Sequence, residues 1–267
     1  MYEFHYQRAT TIGDALDRLS GSADGRYLAG GQTLLAAMKL RLAAPSDLVD
    51  LAAIPELHGV CMDGDTVVIG AMTTHAAVAA SPEVQRSIPA LAGLAAGIGD
   101  RMVRNMGTIG GSIANNDPAA DYPAAAVGLG ATIVTHERRI AAEDFFTGMY
   151  ETALQPGELL TSVWFPKPLR AGYAKFPNPA SRYALVGVFV AQTDAGARVA
   201  VTGAGPAVFR VPAMEAALDA SFTPEAVRGV HVPADELNSD MHASADYRAH
   251  LIGVMAGRAV QAALEKT

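Results

Sequence analysis

Apolar residues recur at helical spacing at Ile12, Ala15, Leu16 and Leu19, so residues 11–19 are predicted to form an amphipathic helix. A short strand is expected over residues 26–29, broken by Gly30 and Gly31, followed by a second helix over 33–42. Residues 47–51 (DLVDL) read as another strand, closed by Pro55, which makes the opening a βαβ-like unit. Val67, Val68, Ile69 and Gly70 follow the turn at Asp63, Gly64 and Asp65, as in a hairpin. Residues 73–97 are rich in Ala and Leu, with Pro82 and Pro89 placed to start or break helices. Strands are expected over 131–135 and 162–165.

Pro166 and Pro168 then punctuate the chain, and a domain boundary is placed near 167–173. Beyond it, residues 184–192 and 198–202 suggest two strands and 211–218 a helix. After a connection over roughly 230–244, Ser244 is placed to cap a long final helix. Leu251, Val254, Met255, Arg258, Ala259, Ala262 and Ala263 repeat along that helix near its period.

The chain has 267 residues, half of them hydrophobic, enough for a substantial core. Its formal net charge of −7 argues against nucleic acid as the main partner while leaving room for a local basic groove, and a large anionic cofactor can still bind through backbone N–H groups. The single cysteine, Cys61, permits neither an internal disulfide nor an iron–sulfur cluster held by this chain alone. Lying beside Val60 and Met62, it is expected to be a small buried hydrophobe. The histidines show no metal-ligand spacing, and His75 is expected to cap or pack near a helix start. Neither a secretory signal nor an apolar run of membrane-spanning length is visible, so a cytoplasmic location is expected.

Two glycine-rich segments carry the chemistry. In the first, Ala29, Gly30, Gly31, Gln32 and Thr33 join a strand to a helix. Paired glycines allow close backbone approach, and consecutive amides at a helix start can cradle a phosphate. In the second, Thr108, Ile109, Gly110, Gly111 and Ser112 offer another glycine pair, flanking hydroxyls and a polar run that reaches Asp121. Either segment alone could be an ordinary turn. Lying 78 positions apart (Gly30 to Thr108), they could grip one diphosphate from both sides, with Asp121 accepting from sugar or side-chain hydroxyls. Gly203, Ala204, Gly205 and Pro206 lack the third glycine of a dinucleotide fingerprint and read as a plain turn.

The segments AGGQT and RNMGTIGGSIANNDPAADYPAA, with their separation, closely resemble the FAD-binding medium subunits of molybdenum hydroxylases, the family of carbon monoxide dehydrogenase and xanthine dehydrogenase flavoproteins. EDFFTGMYETALQPGELLTSVWFP, GYAKFPNPASRYALVGVFVA, TGAGPAVFRVPAMEAAL and SADYRAHLIGVMAGRAVQAAL extend the resemblance over nearly the whole chain. It implies an α+β protein with a two-subdomain PCMH-type FAD-binding domain over 1–170 (subdomains about 1–56 and 57–170). A smaller C-terminal domain of antiparallel sheet plus helices would follow over 171–267. The two glycine segments would hold the FAD diphosphate, and Asp121 the flavin chain or ribose. Leu28 and Ala29 would line the approach, Leu160 would pack near the cofactor, and Lys175 and Tyr183 would fall beside it. Ser112 stands where many relatives have asparagine, and the cysteine-bearing insertion of the 4-hydroxybenzoyl-CoA reductase branch is absent.

The resemblance further implies an electron-transfer role without catalytic side chains. Electrons would arrive from the [2Fe-2S] clusters of a small iron–sulfur subunit, served by a large subunit carrying the molybdenum cofactor, and leave for quinone, NAD or oxygen. The family suggests a dimer of heterotrimers. A stand-alone FAD oxidoreductase, a nicotinamide dehydrogenase and a non-enzymatic assembly protein that has lost FAD are the alternatives.

Overall fold

The computed structural model describes residues 1–265. At its start β1 (His5–Arg8), α1 (Ile12–Ser20), β2 (Gly25–Leu28), α2 (Leu34–Lys39) and β3 (Asp47–Asp50) build a parallel sheet of order β1-β3-β2. The Thr11 side chain caps α1 by accepting the Asp14 N–H at 3.1 Å. The stripe of Ile12, Ala15, Leu16 and Leu19 packs with Val49, Leu51, Ile54 and Leu57. α2 is shorter than its sequence pattern suggests, because Arg41 turns left-handed (φ 62) and the Leu42 N–H folds back onto the Ala37 carbonyl.

Next come β4 (Val60–Asp63), β5 (Thr66–Gly70) and a run of short helices: α3 (His75–Ala80), α4 (Pro82–Ser87), α5 (Pro89–Ala96), α6 (Arg101–Met106), α7 (Ile109–Asn115) and α8 (Tyr122–Leu129). Pro82 and Pro89 open α4 and α5, where a missing N–H costs nothing. β6 (Thr132–Thr135), β7 (Arg139–Ala141), α9 (Ala142–Phe145), the small ribbon β8 (Phe146–Gly148) and β9 (Glu151–Thr152), and β10 (Leu160–Pro166) complete this part. Its antiparallel sheet has the order β4-β5-β10-β6-β7 and packs Val67, Ile69, Val163 and Phe165 against the helices. β4 is one of the two edge strands, and Cys61 on it is exposed, so the expectation of a buried thiol is corrected. Cys61, Met62 and Asp63 are all exposed, so neither face of this end strand is covered.

The last part holds β11 (Arg170–Pro177), β12 (Ala184–Thr193), β13 (Gly196–Thr202), β14 (Phe209–Arg210), α10 (Pro212–Ala220), α11 (Pro224–Val227) and α12 (Ala245–Glu265). The strands form one antiparallel sheet in sequence order. β12 is covered on both faces: Val186, Val188 and Val190 join the core under α12, while Phe189 and Ala191 join the core around α8. That double burial is why the strand reads as an unbroken apolar run. Ser244 caps α12 by accepting the Tyr247 N–H at 3.3 Å. The helix lies so close to β11 that a Cβ on Gly172 would sit 2.0 Å from the Ala259 carbonyl oxygen. Gly172→Ala would therefore force helix and strand apart. Among the described residues no helix is long and apolar enough to cross a membrane.

Candidate functional site

The two glycine segments meet. A Cβ on Gly30 would lie 2.1 Å from the Met106 carbonyl oxygen and 2.7 Å from the Gly107 Cα, so the first segment rests directly on the lead-in to the second. A Cβ on Gly111 would stand 3.3 Å from that of Ala29. Gly31 takes φ +70, a left-handed turn that an L side chain disfavours, and it aims the chain into α2.

Their hydrogen-bonding states differ. Among the described residues, the amides of Gly30, Gly31, Gln32, Thr33 and Leu34 donate to no protein acceptor, and Thr33 makes no side-chain cap. The second segment is the first turn of α7 rather than a loop. There Thr108 Oγ1 accepts the Gly111 N–H at 3.1 Å, and the Ile109 and Gly110 N–H groups donate to the Thr73 and Ala71 carbonyls at 3.1 and 2.9 Å. The Ser112 N–H donates to the Thr108 carbonyl at 3.0 Å. Gly110 has no room for a side chain, since a Cβ would meet that of Ala71 at 2.6 Å. The first segment thus supplies free donors, and the second a bare surface with hydroxyls at its ends.

Both segments wall a cleft of about 580 Å³. Ala29, Gly30, Gly31, Gln32 and Thr33 border it on one side and Thr108, Gly110, Gly111 and Ser112 on the other. Asp121, Leu160 and Tyr183 also reach it. Leu28, Ile109 and Lys175 do not form its wall: Leu28 ends β2 with its side chain against the Gly31 turn, and Ile109 is in the core under α7.

Lys175 stands behind Asp121 instead. Its ammonium donates to Asp121 Oδ2 and to the Gly97 carbonyl, each at 3.0 Å, and the Tyr173 hydroxyl donates closely to Asp121 Oδ1. Burial pushes the Asp121 carboxyl up, against the opposing pull of Lys175 and Tyr173. The Tyr173 phenol is driven far up by its burial and by the Asp121 carboxylate. The cluster ties β11 to the start of α8, so both Asp121 oxygens already have protein partners when they face the cleft.

Tyr183 is held by a turn in which Asn178 Oδ1 accepts the Ala180 and Ser181 N–H groups at 2.9 and 3.1 Å. The Asn178 N–H donates to the Tyr183 carbonyl at 2.8 Å. The Tyr183 phenol is raised by partial burial first and then by the Asp117 carboxylate. At the far end Glu158 receives both the Arg138 Nε and Nη2 and the Thr135 hydroxyl, and Arg138 above all holds its carboxyl down to about 2.

Sequence reasoning missed Glu158 and Asp117 on the cleft, and His75 was expected only to pack or cap. His75 is indeed packed at the first position of α3, capped by Thr74 Oγ1, which accepts the Ala77 N–H at 3.2 Å. Its place on the cleft depends on the contact between α3 and α6, which no local pattern carries. Among the described residues no group of side chains could hold a metal ion.

The arrangement suits an anionic, elongated ligand: a run of free amides can meet negative charge, and much of the remaining wall is apolar. The family described as "FAD binding domain in molybdopterin dehydrogenase" matches residues 2–168. The chain is 39% identical to the carbon monoxide dehydrogenase medium chain of Afipia carboxidovorans, over 97% of this chain and 96% of that one. It is 36% identical to the nicotine 6-hydroxylase medium subunit of Paenarthrobacter nicotinovorans, over 98% of each. A solved structure of carbon monoxide dehydrogenase from Hydrogenophaga pseudoflava, lacking the Mo-pyranopterin moiety of its molybdenum cofactor, superposes with a TM-score of 0.91 at 37% identity. That match covers 99% of this chain and 98% of that one.

Proposed function

We infer the function from one premise: the chain belongs to the family of FAD-binding domains in molybdopterin dehydrogenases. It is an FAD-binding oxidoreductase component. Its specific role is that of the medium subunit of a molybdenum hydroxylase, an electron-transfer component between the iron–sulfur clusters of a small partner subunit and a final acceptor: quinone, NAD or oxygen. A large subunit would carry the molybdenum cofactor, and the assembly would be a dimer of heterotrimers. Relatives are medium subunits of named multi-subunit enzymes, which supports partners of this kind.

One observation carries the reading. The unpartnered amides of Gly30 to Leu34 border a cleft whose facing wall includes Gly110, Gly111 and Ser112, so a diphosphate-sized anion could meet bare backbone there. Bound there, FAD supplies one- and two-electron redox chemistry. The chain's own residues bind and orient. The Gly30, Gly31, Gln32 and Thr33 amides would hold the diphosphate, while Thr108, Gly110, Gly111 and Ser112 form the facing wall. Ile109 anchors that wall in the core. Asp121, fixed by Lys175 and Tyr173, would present carboxylate lone pairs to a sugar or side-chain hydroxyl. Ala29, Leu160 and Tyr183 would shape the approach and exclude water, with Leu28 packed behind the Gly31 turn.

The test is co-expression with a molybdenum-cofactor subunit and an iron–sulfur subunit. The reading predicts a stable complex in which loss of oxidised-flavin absorbance on adding substrate requires the iron–sulfur subunit. A folded, flavin-loaded chain that neither associates with such partners nor depends on them, and is reduced by its own substrate, would contradict it in favour of a stand-alone oxidoreductase.

A further inference from the structure

His75 is not explained by the residues assigned above. It is buried, at 4% exposure, yet its ring reaches the cleft wall. A Cβ on Gly107 would lie 2.6 Å from its Nε2, and Gly107 is one of the residues on which Gly30 rests. The imidazole therefore stands one layer behind the turn whose amides are free. Its Nδ1 is sealed from solvent without a hydrogen-bond partner, and so is the hydroxyl of Tyr122, whose ring centroid is 5.3 Å away. Burial first, and the Arg104 guanidinium second, hold the imidazole down at about 4, so it is neutral near pH 7.

We propose that His75 is a further cofactor-binding residue, donating an Nε2–H hydrogen bond to the FAD diphosphate beside the Gly30 turn. This rests on the flavoprotein reading above. A neutral imidazole has one N–H to place. On Nδ1 it would be a sealed donor with no acceptor among the described residues, the costly arrangement. On Nε2 it stands at the cleft wall, beside a segment whose Ile109, Gly110, Gly111 and Ser112 N–H groups already donate to protein acceptors. A histidine serving only as core would normally spend its N–H on a protein acceptor. This one has none, and the ligand class that would use it is an anion.

The experiment uses the full chain, apo and loaded with FAD, and has two arms. In the first, NMR of ¹⁵N-histidine-labelled protein should show His75 as the Nε2–H tautomer, with that proton moving downfield when FAD binds. In the second, FAD titration of His75→Leu should give a Kd roughly tenfold to a hundredfold above wild type, as for loss of a hydrogen bond to a charged group. His75→Gln, which restores a side-chain N–H, should recover part of the difference. An Nδ1–H tautomer, a His75 signal indifferent to FAD, or a folded His75→Leu variant with wild-type Kd would overturn the proposal. If the leucine variant fails to fold, the tautomer arm on the wild-type chain decides alone. Failure of the wild-type chain to bind FAD at all would instead sink the flavoprotein reading, and this inference with it.

Discussion

Gly30→Ala tests the junction of the two glycine segments. The new methyl would be placed 2.1 Å from the Met106 carbonyl oxygen, where real Cβ contacts under 3.0 Å are essentially never seen. Both neighbours, Met106 carbonyl and Gly107 Cα, are backbone, so no side chain can swing aside and the turn must retreat by roughly 1 Å. Overpacking of this kind costs about 1–3 kcal/mol, which for a chain of this size lowers Tm by roughly 3–10 °C. The same retreat carries the Gly30 and Gly31 amides out of register with any anion held there. Losing one charge-assisted bond weakens FAD binding roughly tenfold to a hundredfold, and losing two weakens it more. Thermal unfolding of the apo chain and FAD titration of the folded variant read the two effects separately. Gly13→Ala is the control: a Cβ there meets nothing within 4 Å, so both readings should stay level or improve by up to about 1 kcal/mol. A Gly30→Ala variant with wild-type Tm and wild-type FAD affinity would refute the packed junction.

Three further outcomes follow from particular contacts. Lys175→Met leaves the Asp121 carboxylate buried without its cation, and should destabilise the fold by about 3–5 kcal/mol near pH 7. Burial already raises that carboxyl, so in the variant the neutral form is favoured in the fold and stability should be best below an ordinary aspartate value of about 4, falling as pH rises; urea midpoints across pH would show it. Glu158→Gln should cost about 1–3 kcal/mol at neutral pH. The native carboxylate's contribution is present above its unfolded value of about 4.3 and is lost as pH falls through about 2, so the gap between variant and wild type should close in acid. Cys61 should react with a thiol reagent in the native state at close to the unfolded rate, and Cys61→Ser should change stability by less than about 0.5 kcal/mol.

What was legible from sequence depended on how each element is buried. α1 and α12 each bury one stripe, so their period of 3.6 shows, and caps at Thr11 and Ser244 mark their starts. α8 is buried at every position from Tyr122 to Leu129, so it has no polar face and no readable period. Residues 104–123 read as a polar run with a glycine turn, yet α7 forms there because Thr108 caps it and Ala71 and Ala29 press where its glycines have no side chains. Cys61 was misread because its apolar neighbours suggested burial, whereas an edge position in β4 decided its exposure. In the site, the glycine pairs were visible and their meeting is seen in the fold. The binding partners of Asp121 were not, because Tyr173 and Lys175 are brought to it from 52 and 54 positions away. His75 carried only the signature of a helix start. Its place beside Gly107 and Tyr122 is set by contacts between residues far apart in sequence.

The central claim is that this chain holds FAD through the amides of the Gly30 turn, and the direct measurement is a titration of the purified, folded apo chain with FAD, followed by heat release and identification of the bound flavin. The account predicts saturation at one FAD per chain, release of intact FAD, and strong loss of binding in Gly30→Ala with little change in Gly13→Ala. A folded chain that stays colourless in excess FAD, alone and with its partner subunits, would contradict it.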